Sequence, residues 1–267
     1  MADASRVDGT RVFGIDPAGY DQARPDYPAR VYDLLQARCP IGPLTRGFEI
    51  GPGTGIASRQ LLARGLGSLV AIEPDPRLAD FLAAHGSTTA GRLQIQVATF
   101  AEAELPASSF DLGVAATAYH WLDSTPTLEK VAQLLRPGGT WAMWWNVFGD
   151  PLGDAFHEAT LDLLGAIEPD HLRAPARQPA FPLDREARLS ELEGAGFVDA
   201  TYDLTRWSHP FDAGQTRALY ATFPHIRTLP PVDRERVLTE LGRIVDNEFA
   251  GLVERPMLTP LYTARRP

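Results

Sequence analysis

Phe48-Glu49-Ile50-Gly51-Pro52-Gly53-Thr54-Gly55 joins a short apolar strand to a glycine-rich turn, with an acid just ahead of the turn. Arg46 to Ile50 reads as a buried strand and Thr54 to Arg64 as a helix stopped by Gly65. Gly51, Gly53 and Gly55 remove each β-carbon that would keep a ligand off the bend. A turn at the carboxyl end of a strand is where doubly wound sheets bind their ligands. The pattern therefore predicts a nucleotide-type pocket.

Glycine spacing separates two ligand classes. The dinucleotide fingerprint G-x-G-x-x-G would need a glycine where this chain has Ile56; here the spacing is G-x-G-x-G. Glu49 points the same way, because a carboxylate repels a pyrophosphate and favours a cationic amino group. The expected ligand carries an ammonium and a sulfonium and no phosphates. A second strand, Ser68 to Ile72, ends in Glu73, placed to accept hydrogen bonds from both ribose hydroxyls of a nucleoside.

Strand and helix patterns then alternate. Pro28 starts a helix with Val31, Leu34 and Leu35 on one side; Pro76 starts another, with Leu78, Phe81 and Leu82 inward, ending near Gly86. Leu93 to Val97 reads as the third strand, Phe110 to Ala115 as the fourth, Thr127 to Leu135 as a helix, and Thr140 to Asn146 as the fifth strand. Leu152 to Ile167 is helical, a proline-rich loop follows, Arg185 to Glu193 is a helix, Phe197 to Leu204 a strand, and Met257 to Ala264 a last strand. Val237, Leu238, Leu241, Ile244, Val245 and Phe249 recur at helical spacing. This alternation predicts an α/β fold with a doubly wound, mainly parallel, seven-stranded Rossmann-like sheet. Residues 1–267 are expected to form a single domain, with 1–29 as an arm over the ligand and 147–194 and 206–254 as helical lid insertions around the substrate.

Composition narrows the partners. Apolar residues make up 44% and charged ones 22% of 267, which is ordinary for a globular chain, and no apolar run is long enough to span a bilayer. The start lacks the basic and apolar blocks of a signal peptide, so a cytoplasmic location is expected, away from membranes. Cys39 is the only cysteine, so neither an intrachain disulfide nor a cysteine metal cluster can form, and the scattered His157, His171, His209 and His225 lack ligand spacing; no metal is expected. A formal charge of -9 argues against a nucleic-acid partner and for a small-molecule substrate, while no pattern sets an oligomeric state.

Taken together, EIGPGTG, Glu73 in AIEPD, Phe110-Asp111-Leu112 and Leu135-Arg136-Pro137-Gly138-Gly139 resemble the class I S-adenosylmethionine-dependent methyltransferases. Tyr20-Asp21-Gln22-Ala23-Arg24-Pro25-Asp26-Tyr27-Pro28 and Tyr119-His120-Trp121 resemble the methyltransferase type 11, trans-aconitate methyltransferase-like branch. The resemblance implies S-adenosyl-L-methionine as cofactor and a last strand inserted antiparallel between the fifth strand and the one before it in sequence. It also implies a cofactor site of Glu49, Gly51, Gly53, Thr54, Gly55, Glu73, Pro74 and Ala116, with Tyr20 and Arg24 folding over it and Arg24 pairing the methionine carboxylate. Many relatives hold the adenine amino group with an Asp at the end of the third strand. This chain has Thr99 and Phe100 there, which leaves backbone near Ala101, the Phe100 ring or Glu102 for the adenine.

Methyl transfer asks mainly for positioning, with the nucleophile held about 3 Å from the methyl in line with the departing sulfur. A hydroxyl or amine acceptor profits from a base, and an ionised carboxylate needs none. His120 is either that base or a wall of the pocket. Tyr27, Tyr119, Trp121, Trp145 and His225 are the candidate substrate contacts, and Trp141 reads as packing. Three functions follow: methyl transfer to a carboxylate, hydroxyl, amine or carbon of a small molecule; a NAD(P)-dependent oxidoreductase, disfavoured by Ile56 and Glu49; and a non-catalytic S-adenosylmethionine-binding protein.

Overall fold

The computed structural model describes residues 13–85, 91–167 and 179–267. In chain order, helices α1 (Pro17–Ala23) and α2 (Ala29–Arg38) precede strand β1 (Arg46–Ile50), α3 (Ile56–Ala63), β2 (Ser68–Glu73), α4 (Pro76–His85), β3 (Leu93–Val97) and β4 (Phe110–Ala116). Then come α5 (Ser124–Leu134), β5 (Leu135–Trp144), β6 (Val147–Phe148), α6 (Ala155–Gly165), α7 (Arg185–Gly194) and β7 (Val198–Asp212). Helices α8 (Ala213–Ala221), α9 (Pro224–Arg227) and α10 (Pro231–Glu248) lead to β8 (Leu252–Arg265). These residues fall into two compact units, one of 13–25, 147–167 and 206–258, the other of 26–85, 91–146, 179–205 and 259–267.

The larger unit holds the parallel sheet, in the order β3-β2-β1-β4-β5-β8. β1 pairs parallel with β2 on one side and β4 on the other, so the winding reverses between β1 and β4 and opens a crevice at their carboxyl ends. Phe48, Glu49 and Ile50 are all buried, as expected for a central strand covered on both faces. Leu61, Leu62 and Leu66 after β1, together with Val31, Tyr32 and Leu35 of α2, pack with Leu112, Val114 and Trp144 of the sheet. β8 returns antiparallel on β5, pairing Thr140 with Arg265 and Trp144 with Leu261, and β7 pairs with β8 on its other side. That is the insertion the resemblance implies.

In the smaller unit, Val147 and Phe148 of β6 pair antiparallel with Leu258 and Met257 of β8, which makes the sheet eight-stranded instead of seven. Its core joins Phe156 of α6, Phe211, Leu219 of α8, Ile226 of α9, and Val237, Leu241 and Val245 of α10. The helical spacing read over Val237 to Val245 is thus a buried face.

The largest departures from the expected boundaries are at three strand ends. β5 begins at Leu135, because Leu135 pairs Phe110 before a register shift brings Thr140 opposite Leu112. β7 runs on to Asp212: Trp207, His209 and Phe211 turn inward between exposed Arg206, Ser208 and Pro210, a period of two that Pro210 masks when read as a breaker. β8 starts at Leu252, well before Met257. Among the described residues no helix is long and apolar enough to cross a membrane.

Candidate functional site

The turn after β1 is left-handed at each of its glycines: φ is +62° at Gly51, +59° at Gly53 and +88° at Gly55. A β-carbon on Gly51 would stand 2.9 Å from the Ala118 Cβ, and one on Gly55 would stand 2.3 Å from Cδ1 of Leu82. At Gly53 it would meet nothing within 4 Å. Two glycines therefore let the protein close on itself, and the third leaves a space.

Glu73, buried at the end of β2, joins this turn to the next. Its Oε2 accepts the Gly53 N–H at 2.9 Å and its Oε1 the Asp75 N–H at 3.0 Å, which leaves lone pairs on both oxygens. Burial outweighs these donors and lifts its pKa to about 7. Glu49 is fully buried; Oε2 accepts the Ser58 hydroxyl, while Oε1, like Thr54 Oγ1, has no hydrogen-bond partner among the described residues. Burial raises Glu49 to about 7 as well, with the Ser58 hydrogen bond opposing and the Glu73 charge adding. An orphaned carboxylate oxygen beside a bend with room over Gly53 fits a ligand that brings N–H donors or positive charge.

At the end of β3, Thr99 Oγ1 donates to Glu102 at 2.7 Å, and Thr99 and Ala101 are exposed. Lys130, the only lysine, donates to the carbonyls of Phe100, Ala101 and Ala103 at 2.6, 3.0 and 2.6 Å and so fixes the loop. The Phe100 ring is buried and stacked on Phe48 at 6.1 Å. Pro74 is exposed beside Glu73.

The end of β4 is strained. Thr117, directly after Ala116, has φ +56°, a left-handed conformation that a β-branched residue rarely takes. Its N–H donates to the Trp144 carbonyl at 2.7 Å and its hydroxyl shares a 2.8 Å hydrogen bond with Tyr27. The Tyr27 ring stands edge-on to Trp144 at 5.8 Å. Tyr119, His120 and Trp121 form a short 3-10 turn. Tyr119 and Trp145 are buried, which makes them supports of the site more than an open surface. Trp145 Nε1 donates to His120 Nδ1 at 3.0 Å, and burial depresses the His120 pKa to about 4. Phe181, which the sequence offered only as part of a proline-rich loop, packs within 6.3 Å of Tyr119, His120 and Trp145, under the Arg188 guanidinium. Asn146, just past β5, donates to the Asp26 carbonyl and accepts from Thr259.

Tyr20, Arg24 and His225 come together in the smaller unit. The Arg24 guanidinium lies 4.5 Å from the Phe223 ring centre and 5.2 Å from that of Tyr20, and its Nε donates to Thr222 at 2.9 Å. His225 stacks on the same Phe223 at 5.8 Å. No carboxylate pairs Arg24 among the described residues. His157 and His209 stand elsewhere in this unit, and His171 lies outside the described residues. No group of three His, Cys, Asp or Glu able to hold a metal occurs among the described residues.

A sequence model of the methyltransferase domain family matches residues 48–143, which span β1 to β5 and both carboxylate turns. Over these residues the chain is similar to methyltransferase domains. An uncharacterized methyltransferase of Mycobacterium bovis is 35% identical over 150 residues, 56% of this chain and 58% of the relative, so the match spans little more than half the relative's length. An uncharacterized methyltransferase of Schizosaccharomyces pombe is 24% identical over 261 residues, 96% of this chain and 97% of its own. The fold matches phosphoethanolamine N-methyltransferase 2 of Haemonchus contortus in complex with S-adenosyl-L-methionine, with a TM-score of 0.59 and 14% identity, over 98% of this chain and 59% of that one.

Proposed function

We propose that this protein is an enzyme that transfers a methyl group from S-adenosyl-L-methionine to a small organic acceptor. The observation that carries this reading is the bend at Gly53, open above its α-carbon and flanked by two buried carboxylates, one with an unpartnered oxygen. Phosphates are disfavoured beside Glu49 and Glu73, and a cationic nucleoside is favoured. In this reading Glu73 takes the ribose hydroxyls; Gly51, Gly53, Thr54, Gly55 and Glu49 hold the amino-acid end; Pro74, Thr99, Ala101 and Ala116 border the nucleoside. Arg24, with no carboxylate partner among the described residues, is suited to an anionic group such as a carboxylate. When bound, the cofactor supplies an electrophilic methyl on a sulfonium: the acceptor's lone pair makes the new bond and the carbon–sulfur pair stays on sulfur. The residues at the end of β4 then have only to hold the acceptor and exclude water.

Calorimetric titration tests this: S-adenosylhomocysteine is expected to bind and NADH is not, and binding of NADH alone would overturn the proposal. A second outcome, binding with no methyl turnover across a broad panel of acids, phenols and amines, would make the protein a silent binder. The same titration carries a pH signature. Glu49 and Glu73 titrate near 7, above the ordinary 4.5, and a cationic ligand favours their ionised forms. Affinity for S-adenosylmethionine is therefore expected to fall about tenfold per carboxylate between pH 8 and pH 6, with protons released on binding near pH 7. Their contribution to stability without ligand runs the other way: it is fully present below pH 4.5 and is lost as pH rises through about 7, because the unfolded chain gives up those protons first. Glu73→Ala should weaken S-adenosylhomocysteine binding by about 1–3 kcal/mol through lost charge-assisted hydrogen bonds, read in the same calorimeter.

A further inference from the structure

The Trp145 indole can only donate, so the 3.0 Å contact from its Nε1 requires an unprotonated, accepting Nδ1 on His120. A neutral imidazole carries its proton on one nitrogen; with Nδ1 engaged, that proton sits on Nε2. His120 is only partly buried, and Nε2 has no hydrogen-bond partner among the described residues. The pairing depends on strand register: Ala116 of β4 lies beside Trp144 of β5, so the residues that follow these two strands meet just beyond the sheet. Phe181 and Trp121 flank the imidazole with ring centres 6.3 and 4.8 Å away. On α7, Arg188 and Glu191 form a bidentate pair, and Glu191 accepts from the Tyr119 hydroxyl.

We propose that Trp145 fixes His120 as the Nε2–H tautomer, so that the ring donates a hydrogen bond to the acceptor molecule and does not act as a base. The proposal rests on the methyl-transfer reading, in that it places the acceptor at the carboxyl end of β4. It adds a chemical class. A site whose histidine is a fixed N–H donor and not a base favours an acceptor whose oxygen already carries a free negative charge near neutral pH, such as a carboxylate, an acidic phenol or an enolate. No proton has to leave such an oxygen. A neutral alcohol or a protonated amine would need one removed, and both nitrogens of His120 are committed, Nδ1 as acceptor from Trp145 and Nε2 as bearer of the proton. The low basicity that burial gives this histidine agrees with the assignment.

Long-range proton–nitrogen correlation spectra of the full chain, with histidine labelled, read the tautomer directly and need neither cofactor nor turnover. The expected result is a protonated Nε2 and a bare Nδ1, unchanged from pH 8 down to pH 5. Trp145→Phe should free Nδ1, mix the tautomers and move the titration up toward the ordinary histidine range near 6.5. A wild-type spectrum with Nδ1 protonated, or a ring that titrates near neutrality, overturns the proposal, and that spectrum decides even if Trp145→Phe fails to fold. With S-adenosylhomocysteine present, acetate, succinate and benzoate should shift the Nε2–H signal while their amides leave it in place. Equal shifts with acids and amides, or none with either, overturn the donor role. Failure of S-adenosylhomocysteine itself to bind would count against the methyl-transfer reading instead, with the tautomer measurement unaffected.

Discussion

Gly53→Val is expected to lose S-adenosylhomocysteine binding by about a hundredfold or more, roughly 2.7 kcal/mol, while the sheet stays assembled. The two effects come from different parts of the residue. A β-carbon at Gly53 meets nothing of the protein within 4 Å, so the branched side chain projects into the space assigned to the ligand without displacing the core. Its backbone, at φ +59°, carries a separate cost of about 1–2 kcal/mol for a left-handed L-residue. The strain lowers the thermal midpoint with or without ligand, whereas the steric block appears only in the binding isotherm. Gly53→Ala, with the same backbone cost and a smaller side chain, should fall between wild type and valine. Wild-type affinity in Gly53→Val would mean that the nucleoside does not lie over this bend. Gly51 and Gly55 could not serve for this test, because side chains there would strike Ala118 and Leu82 and disturb the fold first.

That contrast shows which parts of the molecule were legible in residue order. The β1 turn was readable because its information is local: the glycines, Glu49 and the apolar strand are contiguous, and the φ values at Gly51, Gly53 and Gly55 are those only glycine adopts cheaply. β3 was found at its observed bounds, Leu93–Val97, for a similar reason. What depends on register was not readable. The hydrogen bond between Trp145 and His120 exists because β4 and β5 align Ala116 with Trp144, and nothing near either residue in sequence announces the other. Thr117 gives no sign of its left-handed backbone, since threonine is a residue that usually avoids it. The packing of Phe100 is of the same kind: it stacks on Phe48, which meets Phe110 edge-on, and no residue near Phe100 in sequence announces either ring.

Asp154→Ala is expected to cost the smaller unit about 3–5 kcal/mol, the range for stripping one partner from a buried ion pair. Asp154 does two things at once. Its Oδ1 accepts the His157 N–H at 3.1 Å and caps α6; its Oδ2 accepts from Arg255 Nη2 at 3.1 Å, with both side chains only 5% exposed. Arg255 spends its other arm on the Tyr220 hydroxyl at 3.1 Å, lies over the Phe156 ring at 4.6 Å, and has a buried Nε with no partner among the described residues. Alanine at 154 would therefore leave a guanidinium in the core facing one neutral hydroxyl. Asp154→Asn keeps the cap and should lose less, which separates the capping share, typically about 1 kcal/mol, from the charge. Pairing Asp154→Ala with Arg255→Met removes both charges and should restore part of the stability, because a matched pair gains little over apolar packing once its desolvation is counted. Urea denaturation followed by amide exchange in α6, α8 and α10 measures all three. A loss under 1 kcal/mol for Asp154→Ala would mean that water reaches the pair, against the burial of both groups.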